Sequence, residues 1–418
     1  MEDKYIVRIS KHNDARNSAP PSPPAEAEPV PENTPLHPTS KPKMSGTFYV
    51  ALHITDHEIY ALQITHETKL TRFGKSVLPE HTVENGVILA QEQLARHIRT
   101  LLEEVFLSKD LPKIIHGHIC IPKSQTYIQH FVLPNAEESL HYELVSEKLS
   151  ELIPFSMSEV SVGFTHWEED QEEHITAVVV PRTIIDSYTR TVRLAGITPI
   201  LVDIESATLG RALVENNQYS KSLIIDMGAR TTALNSYTGQ KPTTSVFAPV
   251  GSDKLVEILS NINSDEYTEN QKTFEDITAT LIQAIFLITQ EIQKSPHNSV
   301  IKDIYIVGHT SLLSVLAEYI GKEVGIPTHV GNPLLHLTEY PKEIERDAIL
   351  YASAIGLALR SNNSDAEGFN LLTSQIEEKR KMKKIELQQL HLFIKKHIRE
   401  LLLLLCVLFS IGILFFVW

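Results

Sequence analysis

The segment DMGARTT, residues 226–232, carries residue types that could bind a phosphate chain. An acidic residue ends an apolar strand there, and a glycine and two threonines follow it within six positions. Backbone N–H groups in such a turn can point at an anion, while the carboxylate orients a metal ion beside the phosphates. The same residue types suit an ordinary hairpin turn, for which Asp and Gly are favoured by geometry alone. Phosphate binding and a plain turn are both open interpretations.

This pattern occurs twice in the chain. Residues 222–237 repeat the pattern of residues 48–65, with an apolar strand, a tight polar turn and a second strand. Counted from Val50 to Ile224, the offset is 174 residues. Strand-like runs alternate with helical periodicity in both halves, for example along the predicted helix at 89–107, and such alternation predicts α/β layers. We expect two copies of one α/β unit, each opening with a hairpin of phosphate-binding type.

Two histidines have a spacing that could suit a metal ion. His116 and His118 fall on the same face of a predicted strand at 114–121. Zinc takes three or four protein ligands, and a pair of histidines on one strand falls short of that number. The sequence therefore predicts a partly exposed strand pair and no metal site, and it contains no Ser-His-Asp or Cys-His motif of a hydrolase.

The C-terminal part of the chain has the composition of a membrane anchor. Residues 401–418 contain no charge, and a helix of that length spans roughly 27 Å, close to a hydrocarbon core of about 30 Å. A buried core helix, the alternative, would show polar residues at helical spacing. Residues 377–400 hold eight Lys and Arg against four Glu, so the positive-inside rule keeps the preceding body cytoplasmic. No apolar segment begins the chain, and we expect no signal peptide.

Composition restricts the remaining possibilities. The chain has 38 Lys and Arg against 52 Asp and Glu, a formal net charge of −14, which argues against a nucleic-acid partner. Nine of its 22 prolines lie in residues 11–47, and the N-terminal 47 residues are predicted to be a disordered arm. A plain linker is the simpler interpretation of this arm, and docking on a proline-recognising partner is the alternative.

Six ordered segments carry a family resemblance. They are CIPKSQTYIQHFVLP (120–134), EKLSELIPFSMSEVSVGF (147–164), AVVVPRTIIDSYTRTVRLAGITPILVDIESATLGRAL (177–213), DMGARTT (226–232), FAPVGSDKLVEIL (247–259) and IYIVGHTSLLSVLAEYIGKEVGIPTHVGNP (304–333). Together they resemble the PilM family of type IV pilus assembly proteins, within the actin-like ATPase superfamily. The resemblance covers about residues 48–360.

The resemblance implies an α/β actin-like ATPase fold, which is a duplicated ribonuclease H-like fold. It further implies an extra subdomain of the FtsA and PilM type at about 117–195 and a second lobe at about 222–342, before the C-terminal transmembrane helix. In the family's pattern, the positions that would hold a nucleotide are Asp203, Glu205, Asp226, Gly228, Thr231, Thr232 and Gly308.

The first hairpin departs from the family's pattern, in which Asp-x-Gly begins the phosphate motif. His53 takes the place of the Asp and Thr55 that of the Gly, while Asp56 and Glu58 add negative charge. His309 likewise replaces the second Gly of the adenosine motif, where backbone approach needs a residue without Cβ. These departures favour a scaffold without cofactor over an enzyme. The alternative is a nucleotide-binding ATPase with regulatory hydrolysis, using ATP and magnesium.

Phe369-Asn370-Leu371-Leu372 follows a polar linker and precedes the basic segment. It resembles the cytoplasmic start of PilN, whose Asn-Leu-Leu-Pro peptide docks in a groove of PilM, although Thr373 stands here in place of the proline. The resemblance implies that one chain holds both groove and peptide at an effective concentration in the millimolar range. An ordinary linker with two leucines is the alternative.

A cytoplasmic body joined to a membrane helix is also similar to GspL of type II secretion. The resemblances together imply a membrane-anchored scaffold of a type IV pilus or a related type II secretion machine at the inner membrane. The partners implied are PilN-like and PilO-like inner-membrane proteins and the pilus assembly ATPase.

Overall fold

The computed structural model describes nine stretches of the chain. They are residues 48–106, 114–133, 141–169, 172–215, 220–255, 267–293, 300–308, 313–361 and 368–372. The predicted arm at 1–47 and the predicted basic segment and membrane span at 377–418 lie outside these stretches. Among the helices within them, none is both long enough and apolar enough to cross a bilayer.

The strands, in chain order, are β1 (Phe48–Ile54), β2 (Glu58–Ile64), β3 (Leu70–Val77), β4 (Val83–Glu84), β5 (Val87–Ile88), β6 (Ile115–Ile121), β7 (Tyr127–Leu133), β8 (Val160–Glu169), β9 (Glu172–Pro181), β10 (Ile197–Ile204), β11 (Lys221–Met227), β12 (Thr232–Thr238), β13 (Lys241–Ala248), β14 (Asp303–Gly308) and β15 (Thr328–Val330). The α-helices are α1 (Gln91–Phe106), α2 (His141–Leu152), α3 (Arg182–Leu194), α4 (Glu205–Leu213), α5 (Tyr267–Gln293), α6 (Leu313–Val324) and α7 (Ala352–Ser361).

Two five-stranded sheets have the same strand order. The first runs β10-β6-β1-β2-β3 and the second β15-β14-β11-β12-β13. In each sheet the opening strand pairs antiparallel with the next strand along the chain and parallel with a later one. Helices cover these sheets because their apolar residues recur at helical spacing. Along α1, for example, Leu94, Ile98 and Leu101 are buried as predicted. The chain is thus built from two copies of one α/β unit.

The strand register corrects the predicted offset between the copies by one residue. In the first hairpin Ile54 pairs with Ile59, and in the second Met227 pairs with Thr232, with four-residue turns that close in the same way. His53 therefore corresponds to Asp226, which is an offset of 173 rather than 174. A shift of one residue moves every side chain of a strand to the other face. Register is therefore what decides which residues enter the site.

A third sheet, of order β7-β9-β8, is inserted between β6 and α3. Helix α2 packs on it through Val145 and Leu149, which contact Val160 and Ile175 in one apolar cluster. This unit spans 127–181 and is narrower than the predicted range of 117–195. The reason is that β6 pairs with β1 and β10, while α3 packs against α1 and β10 of the first sheet.

Candidate functional site

His53 and Asp226 occupy equivalent positions, each one residue before the end of the first strand of its hairpin, and both are buried. Thr55 N–H donates to the carbonyl of Glu58 at 2.9 Å, and Gly228 N–H donates to that of Thr231 at 3.0 Å. The two turns are therefore closed by equivalent backbone hydrogen bonds. Only the second has the glycine that lets a phosphate approach the backbone.

In the first turn, backbone N–H groups are already hydrogen-bonded to a side chain of the same turn. Thr55 Oγ1 accepts hydrogen bonds from the N–H groups of Glu58 at 2.9 Å and His57 at 3.3 Å, and it donates to the Glu58 carbonyl at 3.0 Å. In a phosphate-binding turn these N–H groups would bind the anion. Here the side chain that replaces glycine occupies the donors as well as the space.

The two acids of this turn have structural partners. Asp56 accepts hydrogen bonds from the backbone N–H groups of Asn85 at 2.8 Å and Gly86 at 2.9 Å, which ties the turn to the β4–β5 hairpin. Glu58 forms an ion pair with Lys75 at 2.8 Å and accepts a short hydrogen bond from Tyr60. Both carboxylates of the first turn therefore have binding partners within the protein itself.

A buried charge network takes the place of the first metal-orienting carboxylate. Nε2 of His53 lies 3.0 Å from Oε1 of Glu205, and the backbone N–H of Lys123 donates to Oε2 at 2.9 Å. Burial alone would raise the pKa of the Glu205 carboxyl, but the hydrogen bond and charge of His53, with the contribution of Lys123, lower it to about 2. Glu205 is therefore ionised at neutral pH and held on both oxygens.

Lys123 connects the two copies of the α/β unit. It follows β6 of the first sheet, and its Nζ lies 2.5 Å from Oδ2 of Asp226 and donates to the Asp226 carbonyl at 3.1 Å. Burial raises the pKa of the Asp226 carboxyl above its usual value, with Lys123 acting against this and Glu205 adding to it. The lysine ammonium thus stands beside the carboxylate that would orient a metal ion, and it supplies a positive charge from the chain itself.

The second hairpin keeps only part of a phosphate-binding surface. Gly228 is half-buried and Thr231 is exposed, but the Thr232 hydroxyl is buried and donates to the Val250 carbonyl at 2.7 Å. Gly308 pairs with Met227 at φ +149°, and a Cβ there would lie 2.5 Å from the Met227 carbonyl oxygen. Close strand packing therefore requires this glycine independently of any nucleotide.

Asp203, one of the positions that the family's pattern assigns to a nucleotide, makes its ion pairs with two arginines of the same chain. Its fully buried carboxylate contacts Arg211 at 2.5 Å and Arg360 at 2.8 Å. Burial opposes ionisation of Asp203, but the two guanidinium groups hold its pKa below the usual value. Asp203 is the next-to-last residue of β10, whereas Glu205 begins α4. The change from strand to helix therefore directs these two neighbouring acids to different partners.

Residues 368–372 lie in a groove formed in part by β10 and β8. Phe369 and Leu371 are 2% and 0% exposed, and they belong to the apolar core of the first sheet. A Cβ added to Gly163 of β8 would lie 3.2 Å from the Leu371 side chain and 3.5 Å from that of Phe369. Gly163 therefore leaves the room that the two side chains use.

Polar contacts hold the same segment against β10, the edge strand of the first sheet. Asn370 Oδ1 accepts from the N–H of Val202 at 3.3 Å, and its Nδ2 donates to the Ile200 carbonyl at 3.4 Å. Phe369 N–H donates to Asp203 Oδ1 at 3.2 Å, and Arg360 donates to the Phe369 carbonyl. The Asn370 side chain thus satisfies backbone groups of an edge strand, which would otherwise remain open for pairing.

His116 and His118 both contact Tyr49: the Tyr49 ring stacks on His116 at a ring-centroid distance of 5.4 Å and is tilted against His118 at 5.9 Å. Burial, followed by the positive charge of Arg360, lowers the pKa of His118 to about 4. A neutral imidazole at pH 7 adds no third cation next to the two arginines that share Asp203.

Two sheets of this strand order, each opening with the same hairpin, define the actin-like ATPase class of folds. The type IV pilus assembly protein PilM family matches residues 52–362, and the chain belongs to that family. No curated protein matches the sequence.

Three solved structures are similar to this chain at low sequence identity. A PilM–PilN type IV pilus biogenesis complex has a TM-score of 0.57 and 20% identity, over 75% of this chain and 98% of that chain. EutJ, an ethanolamine utilization protein of Carboxydothermus hydrogenoformans, gives 0.43 and 14%, over 78% and 92%. The cytoplasmic domain of EpsL, an inner membrane component of the Vibrio cholerae type II secretion system, gives 0.38 and 9%, over 78% and 97%.

Sequence reasoning missed three cations that organise these sites. Lys123 contacts Asp226, and Arg211 and Arg360 share Asp203, across sequence separations of 103, 8 and 157 residues. Lys123 lies in the segment 120–134 that resembles the family, two residues after β6 ends at Ile121. This position at the end of a central strand is the signal that could have drawn attention to it.

Proposed function

We propose that this protein is a membrane-anchored cytoplasmic scaffold of a type IV pilus assembly machine. Its PilM-type body carries a PilN-like segment, residues 369–372, in the same chain, and residues 401–418 anchor it in the inner membrane. PilN-like and PilO-like proteins and the pilus assembly ATPase are the partners in this proposal. Type II secretion is the related setting in which the same architecture would serve.

The observation that carries this proposal is the burial of Phe369 and Leu371 in the groove. A solved relative is a complex of PilM with PilN, and here a segment that resembles the start of PilN fills a groove of a PilM-family body. With the segment docked at 369–372, only residues 373–400 separate the body from the predicted membrane anchor. The scaffold therefore needs no separate binding event to reach the membrane.

In this proposal the scaffold binds no nucleotide or metal ion at its two hairpins. The Thr55 side chain occupies the turn amides, and Lys123 pairs with the carboxylate that would orient magnesium. Binding of ATP would have to break this ion pair and place a polyanion next to Glu205. Breaking one partner out of a buried pair is costly, because it leaves an uncompensated charge.

We expect ATP with Mg²⁺ to leave the melting temperature of the full chain in detergent unchanged at millimolar concentration. A ligand present at a hundredfold excess over its Kd stabilises a protein by about 2.7 kcal/mol, which thermal unfolding detects readily. ADP and Mg²⁺ alone serve as controls. A rise with ATP that disappears in Asp226→Ala would instead support the ATPase alternative.

We expect the wild-type chain to remain in the membrane fraction after an alkaline wash, whereas Leu408→Arg with Ile411→Arg releases it. Each arginine near the middle of a membrane helix costs about 2.5–3.5 kcal/mol on insertion scales. The matched control is Leu408→Ile with Ile411→Leu, which preserves hydrophobicity. Release of the wild-type chain, or equal retention of all three, would refute anchoring through residues 401–418.

A further inference from the structure

Three potential metal ligands converge on one face of the small sheet, away from the two hairpins and the groove. His141 begins α2, His166 lies in β8 and Glu173 lies in β9. Their ligand atoms all lie within 4.8 Å of one another. His141 is buried, Glu173 is half-buried and His166 is exposed. One side of the cluster therefore faces the protein interior, and the side of His166 faces solvent.

Strand register brings the residues together. His166 of β8 pairs directly with Ile175 of β9, so these two side chains lie on the same face of the sheet. Glu173 stands two residues before Ile175 and therefore lies on that face as well. Helix α2 covers this face, and its first residue supplies the third ligand. Glu168 stands directly opposite Glu173 on the same face, so its carboxylate is a potential fourth ligand beside the cluster.

Each histidine faces one oxygen of the Glu173 carboxylate, at a distance that either a direct contact or a shared ion can produce. His141 Nε2 lies 3.1 Å from Glu173 Oε2, and His166 Nδ1 lies 3.1 Å from Glu173 Oε1. Ligand atoms at about 2.0–2.1 Å from a tetrahedral zinc are separated by about 3.3 Å. Imidazole nitrogens with a carboxylate oxygen form a donor set that zinc accepts.

A second observation concerns the buried histidine alone. Neither ring nitrogen of His141 has a hydrogen-bond partner within the described part of the chain. Its Nε2 therefore faces Glu173 at a short distance but without the alignment of a hydrogen bond. A buried imidazole without such a partner is costly, because its polar atoms have lost their water. A shared metal ion would satisfy Nε2 and the facing carboxylate together.

We propose that His141, His166 and Glu173 form a Zn²⁺ site that fixes the start of α2 to the β8–β9 sheet. The site leaves one coordination position toward the exposed side of His166, for water or for Glu168. Its role is structural, since the three ligands join a helix to two strands of the same unit. The competing interpretation is a metal-free cluster in which protons, rather than zinc, balance Glu173.

The test uses the full chain in detergent, stripped with a chelator and titrated with Zn²⁺ against a chromogenic competitor. We expect one tight equivalent, a higher melting temperature with Zn²⁺, and the absorption bands of tetrahedral Co²⁺ when that ion is substituted. His166→Ala should weaken Zn²⁺ binding by more than about tenfold and remove the thermal shift, because outer-shell changes alone cost 10–100-fold.

Two further variants keep the test decisive. Glu173→Gln retains shape and should also lose the tight equivalent, while His329→Ala, an exposed histidine paired with Asp303 elsewhere, should retain it. Equal Zn²⁺ affinity in wild type and His166→Ala would overturn the proposal, as would no thermal shift in the wild type. Since His166 is exposed, we expect its variant to fold, and its circular dichroism spectrum without metal should match that of the wild type.

Discussion

The double substitution Phe369→Ala with Leu371→Ala should raise amide hydrogen exchange at residues 369–372 by at least about a hundredfold. Burial of each side chain contributes roughly 1.5–3 kcal/mol, so the pair contributes at least about 3 kcal/mol, and 1.4 kcal/mol is a factor of ten. Ordering the segment opposes docking by about 1–2 kcal/mol per residue, so the loss of both side chains should leave the segment undocked. Exchange measured by mass spectrometry on the full chain in detergent gives the result directly.

Leu335→Ala is the matched control, because Leu335 is an exposed leucine outside the groove and its loss should leave exchange at 369–372 unchanged. A synthetic peptide spanning residues 367–374 provides a second readout. It should bind the double variant, whose groove is open, and fail to bind the wild type, whose own segment competes at a millimolar effective concentration. Fast exchange at 369–372 in the wild type would mean that the segment is a plain tether.

Asp203→Asn should lower the free energy of unfolding by about 3–5 kcal/mol. The substitution keeps the side-chain shape but removes the negative charge that Arg211 and Arg360 share in a fully buried position. Removing one partner of a buried pair costs this much because the remaining charge has neither water nor a counter-ion. Chemical denaturation of the full chain, followed by tryptophan fluorescence and circular dichroism, measures the loss.

Exchange at Phe369 should increase in the same variant, since Asp203 accepts its N–H and orients Arg360. Asp253→Asn is the control at an exposed aspartate and should change stability by less than about 0.5 kcal/mol. Adding Arg360→Met to Asp203→Asn should recover part of the loss, because it removes one unpaired cation. A loss below about 1 kcal/mol in the single variant would show that solvent or another group compensates the arginines.

The sequence alone determined the class of fold and its duplication. Strand-length apolar runs, helical periodicity along α1 and glycine-containing turns are local signals, because they reflect the backbone geometry of a few consecutive residues. The ordered motifs indicated the PilM family in the same way. Phe369 and Leu371 also stood out locally, as apolar residues after a polar linker.

Only the tertiary structure decided which charged groups meet. The family motif had already placed His53 at the position of Asp226, and the strand register confirmed that alignment with an offset of 173. Asp203 and Glu205 are separated by one residue, yet one contacts two arginines and the other contacts His53 and Lys123.

The cluster of His141, His166 and Glu173 has the same origin, since its members come from a helix and two strands. Sequence reasoning looked for ligands at short spacing, and its only candidates were His116 and His118. The partner of a charge or a ligand depends on strand pairing and helix packing between distant segments. Local periodicity contains no information about those contacts, and the packed structure was therefore needed to locate them.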